Sequence, residues 1–128
     1  ALQDVMARAN LLTFPSIREF GGGVVLEAMA LGVVPVVCDY AGPAELVSPD
    51  TGYALPIGSR AEIVARLRAQ LLALCDNPAD LPAKGRAAQT RVAQQFTWAR
   101  KAEQIAAIYH WVRQPDQPRP DPFHRNPT

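Results

Sequence analysis

The sequence has little cysteine and no excess charge of either sign. Cys38 and Cys75 are its only two cysteines in 128 residues, too few for a disulfide scaffold and without the spacing of a metal site. We therefore expect both thiols to pack as small apolar groups. The formal net charge is +1, which makes no electrostatic case for nucleic-acid binding. The composition thus excludes a disulfide-rich module and argues against a nucleic-acid-binding protein.

A long apolar run is also absent. The longest one extends from Ala28 to Cys38, is interrupted by Pro35, and is far shorter than the roughly 20 residues of a membrane-spanning helix. The start of the chain shows no signal-peptide pattern, so we expect a cytoplasmic protein. Because the chain begins with Ala1 inside a helical pattern, we also expect it to be a piece of a longer protein.

The remaining composition is that of an ordinary globular domain, with 48% apolar and 20% charged residues. Its length is enough for one domain with a hydrophobic core. The charge is uneven, because residues 1–57 hold six acids and two bases, a net −4, and residues 58–128 hold eleven bases and six acids, a net +5. We expect solvated helix faces in the basic half, with peripheral contact to an anionic membrane surface as the alternative.

The first third of the chain has the pattern of a strand, a glycine-rich turn, a helix and a second strand. The turn contains three consecutive glycines, Gly21, Gly22 and Gly23, which let the backbone bend sharply and approach a ligand closely. The second strand is a continuous β-branched run, typical of a strand buried on both faces of a parallel sheet. The predicted strands are Leu11–Phe14 and Val33–Cys38, and the predicted helix is Val24–Leu31. This pattern predicts an α/β fold.

Two acids bracket the glycine turn, Glu19 at its entrance and Glu27 about one turn into the helix. A helix that begins at a glycine turn offers free amides and a partial positive charge to an anion. A carboxylate can accept hydrogen bonds from two hydroxyls, which suits a sugar. The turn therefore offers what a sugar nucleotide needs, and a plain strand–turn–helix crossover with solvated acids is the alternative.

Glu19 and Glu27 resemble the E-x7-E motif of retaining GT-B type glycosyltransferases of family 4, also called glycosyltransferase group 1. The resemblance covers roughly residues 5–112. It continues through Leu26-Glu27-Ala28-Met29-Ala30, Gly32, Pro35-Val36-Val37, Gly42-Pro43, Glu45-Leu46-Val47 and Thr51-Gly52-Tyr53. It implies the second half of the C-terminal domain of a GT-B fold, with a partial Rossmann-like parallel sheet and flanking helices. The missing N-terminal domain of the same protein would then be a partner.

The resemblance also implies roles for individual residues. Glu19 would contact hydroxyls of the donor sugar as the catalytic-site acid, and Glu27 would bind the ribose. The donor sugar and phosphates would meet the backbone between them, at Phe20, Gly21, Gly22, Gly23 and Val24. Phe20 lies one place earlier than in the common family pattern and two further glycines follow Gly21, but amide contacts survive this change. The donor would be a nucleoside diphosphate sugar, with no cofactor and no metal.

The rest of the chain predicts helices and a tail. Ser59 and Glu62 form a capping box that opens a helix with a buried stripe of Ile63, Leu67, Leu71 and Leu74. A second helix extends from about Pro82 to Phe96. Thr97 caps the last helix, whose apolar stripe we expect to pack in the domain core: Trp98, Ala102, Ile105, Tyr109 and Val112. The resemblance implies an alternative, in which Trp98 and Tyr109 contact the other domain of the whole protein. Residues 1–113 thus form the domain fragment, and the proline-rich residues 114–128 are predicted to be a disordered tail.

Three functions are compatible with this sequence. The first is the donor-binding part of a family 4 glycosyltransferase, inactive on its own. The second is a sugar nucleotide epimerase of the same fold type, against which the paired glutamates argue. The third is a non-catalytic module used only for assembly. The resemblance implies that the preceding strands of the sheet are missing, so we expect an exposed sheet edge and either self-association or marginal stability of this chain.

Overall fold

The computed structural model describes residues 1–121, and its centre is a parallel sheet of three strands. The strands are β1 (Leu11–Phe14), β2 (Val34–Cys38) and β3 (Tyr53–Leu55), and they lie in the order β1-β2-β3. Thr13 pairs with Val36, which in turn pairs with Tyr53. The predicted α/β class with a parallel sheet and flanking helices is therefore confirmed.

Helices occupy most of the rest of the chain. They are α1 (Leu2–Met6), α2 (Gly23–Ala30), α3 (Ala41–Leu46), α4 (Arg60–Asp76), α5 (Leu81–Gln95) and α6 (Trp98–Arg113). Helix α1 ends at Met6, and of the two apolar residues at that end Met6 is buried while Val5 is exposed. Within residues 1–121, no helix is both long and apolar enough to cross a bilayer.

Strand β2 lies at the centre of the core. It is hydrogen-bonded to a parallel strand on each side, and α2 and α3 pack against it. All five of its residues are buried, which explains why its sequence is apolar throughout rather than alternating. The fully buried strand is therefore the one against which the helices on both sides of the glycine turn pack, α2 and α3.

Helix α4 begins as the capping box predicts. The Ser59 hydroxyl accepts from the Glu62 amide, and the Glu62 carboxylate accepts from the Ser59 amide at 2.8 Å and from its hydroxyl at 2.7 Å. These hydrogen bonds, and to a smaller degree the nearby Arg66, lower the pKa of the Glu62 carboxyl. The predicted stripe is also confirmed, since Ile63 and Leu74 are buried and the two leucines between them are half-buried.

The two cysteines differ. Cys38 is buried at the end of β2, and burial raises the pKa of its thiol. Cys75 is exposed near the end of α4, so the prediction that it packs as an apolar residue is wrong. It falls on the solvent side of α4, one residue beyond the buried Leu74.

The described part of the chain divides into two compact units, residues 1–92 and a second unit that begins at residue 93. In the second unit, Thr97 caps α6 as predicted, because its hydroxyl oxygen accepts from the Arg100 amide at 3.3 Å. No residue of α6 is buried, and Trp98 is 91% exposed. The prediction that its apolar stripe packs in the domain core is therefore wrong.

The predicted tail begins with a turn, in which the Gln117 amide donates to the Gln114 carbonyl and the Trp111 indole donates to the Gln117 carbonyl, both at 3.1 Å. Residues 122–128 lie outside the described part of the chain, and disorder of the tail stays a prediction.

Candidate functional site

The glycine turn connects the carboxyl end of β1 to α2, and its conformation depends on Gly22. This residue is the N-cap of α2 and has a left-handed backbone with φ +66°. A side chain there would be strained and would also be crowded, since a Cβ atom would lie 3.2 Å from Pro43 Cγ and 3.3 Å from Leu46 Cδ1. Glycine at this position therefore permits both the turn and its close packing on α3.

Glu19 folds back over the turn that it opens. Its carboxylate oxygen Oε1 accepts hydrogen bonds from the amides of Gly21 at 3.2 Å and Gly22 at 3.1 Å. Two amides of the turn are thus occupied by an acid of the same turn. The same two bonds hold the half-buried Glu19 side chain in one place at the rim of the turn.

The next two amides of the turn remain available. The hydrogen bonds of α2 begin at Val25, whose amide donates to the Gly22 carbonyl at 2.9 Å. Among the residues that the structure describes, no acceptor faces the amides of Gly23 and Val24. They belong to the first turn of an eight-residue helix, where unsatisfied N–H groups and the helix dipole attract negative charge.

The first turn of α3 forms a wall against the glycine turn. A Cβ atom on Gly42 would overlap the Phe20 carbonyl oxygen and lie 3.0 Å from Gly21 Cα. The preceding residue, Ala41, has φ +50°, a conformation that alanine rarely adopts. The loop after β2 is thus held in a strained shape where it meets the glycine turn. Sequence reasoning did not assign this wall, although a glycine–proline pair four residues after a buried strand marks it.

The remaining predicted residues lie nearby with open surroundings. Glu27 is exposed on α2, five positions into the helix, so its carboxylate is accessible to a ligand. The Phe20 side chain is 97% exposed, and only its backbone packs in the turn. The structure therefore brings Glu19 and the amides of residues 21–24 together on one turn and adds Glu27 one helical turn away.

Metal ligands are not grouped in the described residues, where no set of three histidine, cysteine, aspartate or glutamate side chains could hold an ion. The chemistry offered by the turn consists instead of amide donors, a helix N-terminus and two carboxylates.

Comparison with known proteins identifies the family. Residues 1–88, which contain the entire sheet and the glycine turn, match the sequence profile of the glycosyl transferases group 1. The chain belongs to this family. The group 1 glycosyl transferase match thus covers α1 to α4 and the first half of α5.

Several group 1 relatives are known proteins of mycobacteria. The chain is 33% identical over 114 residues to the alpha-maltose-1-phosphate synthase of Mycobacterium tuberculosis (strain H37Rv), covering 87% of this chain and 30% of that protein. It is 31% identical over 121 residues to the glycogen synthase of the same strain, covering 93% and 28%. It is 34% identical over 109 residues to the MMP alpha-(1->4)-mannosyltransferase of Mycolicibacterium hassiacum, covering 84% and 26%. The chain therefore spans less than a third of the length of these relatives.

Proposed function

We propose that this chain holds the nucleoside diphosphate sugar donor of a retaining glycosyltransferase, which passes the sugar to an acceptor hydroxyl. The observation that carries the proposal is the division of the turn into two parts. Glu19 occupies the amides of Gly21 and Gly22, while the amides of Gly23 and Val24 are left for a ligand. Membership in the group 1 family supports this reading of the geometry.

The diphosphate is assigned to the open amides at the start of α2. Gly23 and Val24 donate there without first breaking a hydrogen bond, and the helix dipole adds attraction for the anion. The same donors would stabilise the negative charge that grows on the leaving diphosphate as the bond to the sugar breaks. The turn would thus serve both donor binding and catalysis.

Glu19 is assigned to the donor sugar. Two amides hold its Oε1 atom, so the carboxylate is oriented before any substrate arrives. Its other oxygen, Oε2, is the one that would accept from sugar hydroxyls beside Phe20 and the glycines. A preoriented acid loses little conformational entropy on binding, which favours a specific orientation of the sugar ring.

Glu27 is assigned to the ribose. Its exposed carboxylate has two oxygens and can accept from both ribose hydroxyls at once. The position five residues into α2 lies beyond the diphosphate amides along the same helix. In this arrangement the sugar, the diphosphate and the ribose would follow the chain from Glu19 to Glu27. The acceptor would be bound elsewhere in the whole protein.

Calorimetric titration of UDP, GDP and ADP, with their sugar conjugates, tests the proposal. We expect one nucleotide to bind more tightly than the others, and Glu27→Ala to weaken it by about 1–3 kcal/mol because a charged hydrogen-bond acceptor is lost. Asp76→Ala is the matched control, since it removes one acidic charge from the last residue of α4. Equal, weak binding of all three nucleotides with no effect of Glu27→Ala would contradict the proposal and favour an assembly module.

A further inference from the structure

Arg91 on α5 binds the last carbonyls of α3. Its Nε donates to the Leu46 carbonyl at 2.9 Å, and its Nη2 donates to the Glu45 carbonyl at 3.3 Å. Carbonyls at a helix C-terminus lack partners within the helix and attract a cation. The guanidinium is partly withdrawn from solvent, and this desolvation lowers the pKa of Arg91. Arg91 thus fastens the C-terminal end of α3 to α5.

Leu46 joins this contact to the glycine turn. Its carbonyl accepts from Arg91, while its side chain is buried (8% exposed) and borders Gly22 together with Pro43. Only one residue therefore separates the guanidinium from the left-handed glycine that sets the turn. A shift of α3 away from α5 would withdraw Leu46 and Pro43 from Gly22.

Helix α5 also contacts the C-terminal end of α2. Gln89 Nε2 donates to the Ala30 carbonyl at 3.4 Å, and a Cβ atom on Gly85 would overlap the Gly32 carbonyl oxygen. One helix thus holds the C-terminal ends of α2 and α3, whose N-terminal ends meet at the glycine turn. Helix α5 therefore restricts the motion of both helices along their axes.

We propose that Arg91 is a positioning residue for the donor site: by holding α3 it fixes Gly22 and the direction of the Gly23 and Val24 amides. It acts on the turn through Leu46, whose carbonyl accepts from its Nε. This assignment, which rests on the donor-site function proposed above, adds to that site a residue more than sixty positions away in sequence.

Lys84 provides a matched control on the same helix. It lies seven residues before Arg91 and therefore on the same face of α5. Its Nζ donates to the Pro49 carbonyl and lies 4.9 Å from the centroid of the Tyr53 ring. Lys84 thus fastens the segment that follows α3, and none of these contacts reaches Gly22. Removing either cation costs a hydrogen bond to a main-chain carbonyl, but only Arg91 is linked to the turn.

Amide hydrogen exchange on the protein without ligand tests the link directly. In Arg91→Met, exchange at Val25 and Leu26, both of which donate to the Gly22 carbonyl, should become faster by about tenfold. In Lys84→Met, exchange at these amides should match the wild-type protein. Equal acceleration in both variants, or none in Arg91→Met, would overturn the proposal whatever the ligand is.

Nucleotide titration gives the second readout. Arg91→Met should raise the Kd of the bound nucleoside diphosphate by about tenfold, Lys84→Met should leave it unchanged, and Arg91→Lys should restore part of the affinity by keeping a cation at the Leu46 carbonyl. If the wild-type protein binds none of UDP, GDP and ADP, the donor-site function fails while the exchange result still decides the link. If Glu27→Ala weakens binding and Arg91→Met does not, the positioning role alone is wrong.

Discussion

Strand β2 and helix α6 are both rich in apolar side chains, but only the strand is covered. Every residue of β2 is buried, whereas no residue of α6 is buried and Tyr109 is 68% exposed. The strand has β1 and β3 beside it and α2 and α3 against it, all supplied by residues 11–55. Apolar periodicity indicates which side of an element avoids water, but the covering element must come from elsewhere in the structure.

The two regions also differ in their relation to the candidate site. The glycine turn rests on the buried region, through Val25, Pro43 and Leu46. The exposed stripe of α6 lies in the other compact unit and carries none of the predicted site residues. Changes in the buried region should therefore affect both stability and ligand binding, and changes in α6 should affect neither.

The largest expected difference compares Met29→Ala with Trp98→Ala. Met29 is fully buried on α2, so the cavity left by its truncation should cost about 2–5 kcal/mol of unfolding free energy. Trp98 is almost fully exposed, and its truncation should change stability by less than about 0.5 kcal/mol. Urea denaturation of the two variants measures both values. A large loss of unfolding free energy in Trp98→Ala would contradict this prediction and show that α6 is covered in solution.

A smaller effect is expected inside the turn itself, where Gly42→Ala is compared with Gly21→Ala. A Cβ atom on Gly42 would overlap the Phe20 carbonyl, so the walls of the turn must move apart, at a cost of about 1–3 kcal/mol. A Cβ atom on Gly21 would meet nothing within 4 Å. Gly42→Ala should lower the melting temperature and weaken nucleotide binding in a titration. Gly21→Ala should unfold like the wild-type protein. Equal stability of the two variants would mean that α3 does not press on the turn.

The smallest expected effect concerns the exposed start of α4 and depends on pH. Because hydrogen bonds from Ser59 lower the pKa of Glu62 in the folded protein, its contribution to stability is present at neutral pH. It is lost as the pH falls below the ordinary pKa of a glutamate and through that lowered pKa. The melting temperatures of the wild-type protein and Glu62→Ala should therefore differ at pH 7 and converge in acid. A difference that persists in acid would assign the effect to packing rather than to the charged cap.

Local signals in the sequence were sufficient for β1, β2, α2, the start of α4 and the glycine turn. Pro15 follows the end of β1, Gly32 follows the end of α2, and the β-branched run marks β2. Ser59 with Glu62 marks the start of α4. Each of these features depends on neighbouring residues only. These signals also brought Glu19 and the glycines into one turn.

Contacts between distant residues could not be predicted in this way. The wall that Gly42 forms against Phe20 and the bond from Arg91 to Leu46 connect segments that the sequence does not relate. The predicted burial of the α6 stripe and of Cys75 was wrong for the same reason: a helical period gives the direction of a side chain and not its neighbour.

The central claim is that the amides at the start of α2 receive a diphosphate, and amide NMR spectra during titration with UDP, GDP and ADP test it most directly. We predict that the resonances of Gly23 and Val24 shift most with the nucleotide that binds, and that Glu27→Ala reduces the response. Saturating binding that leaves both resonances in place would contradict the account, because the nucleotide would then occupy another part of the molecule.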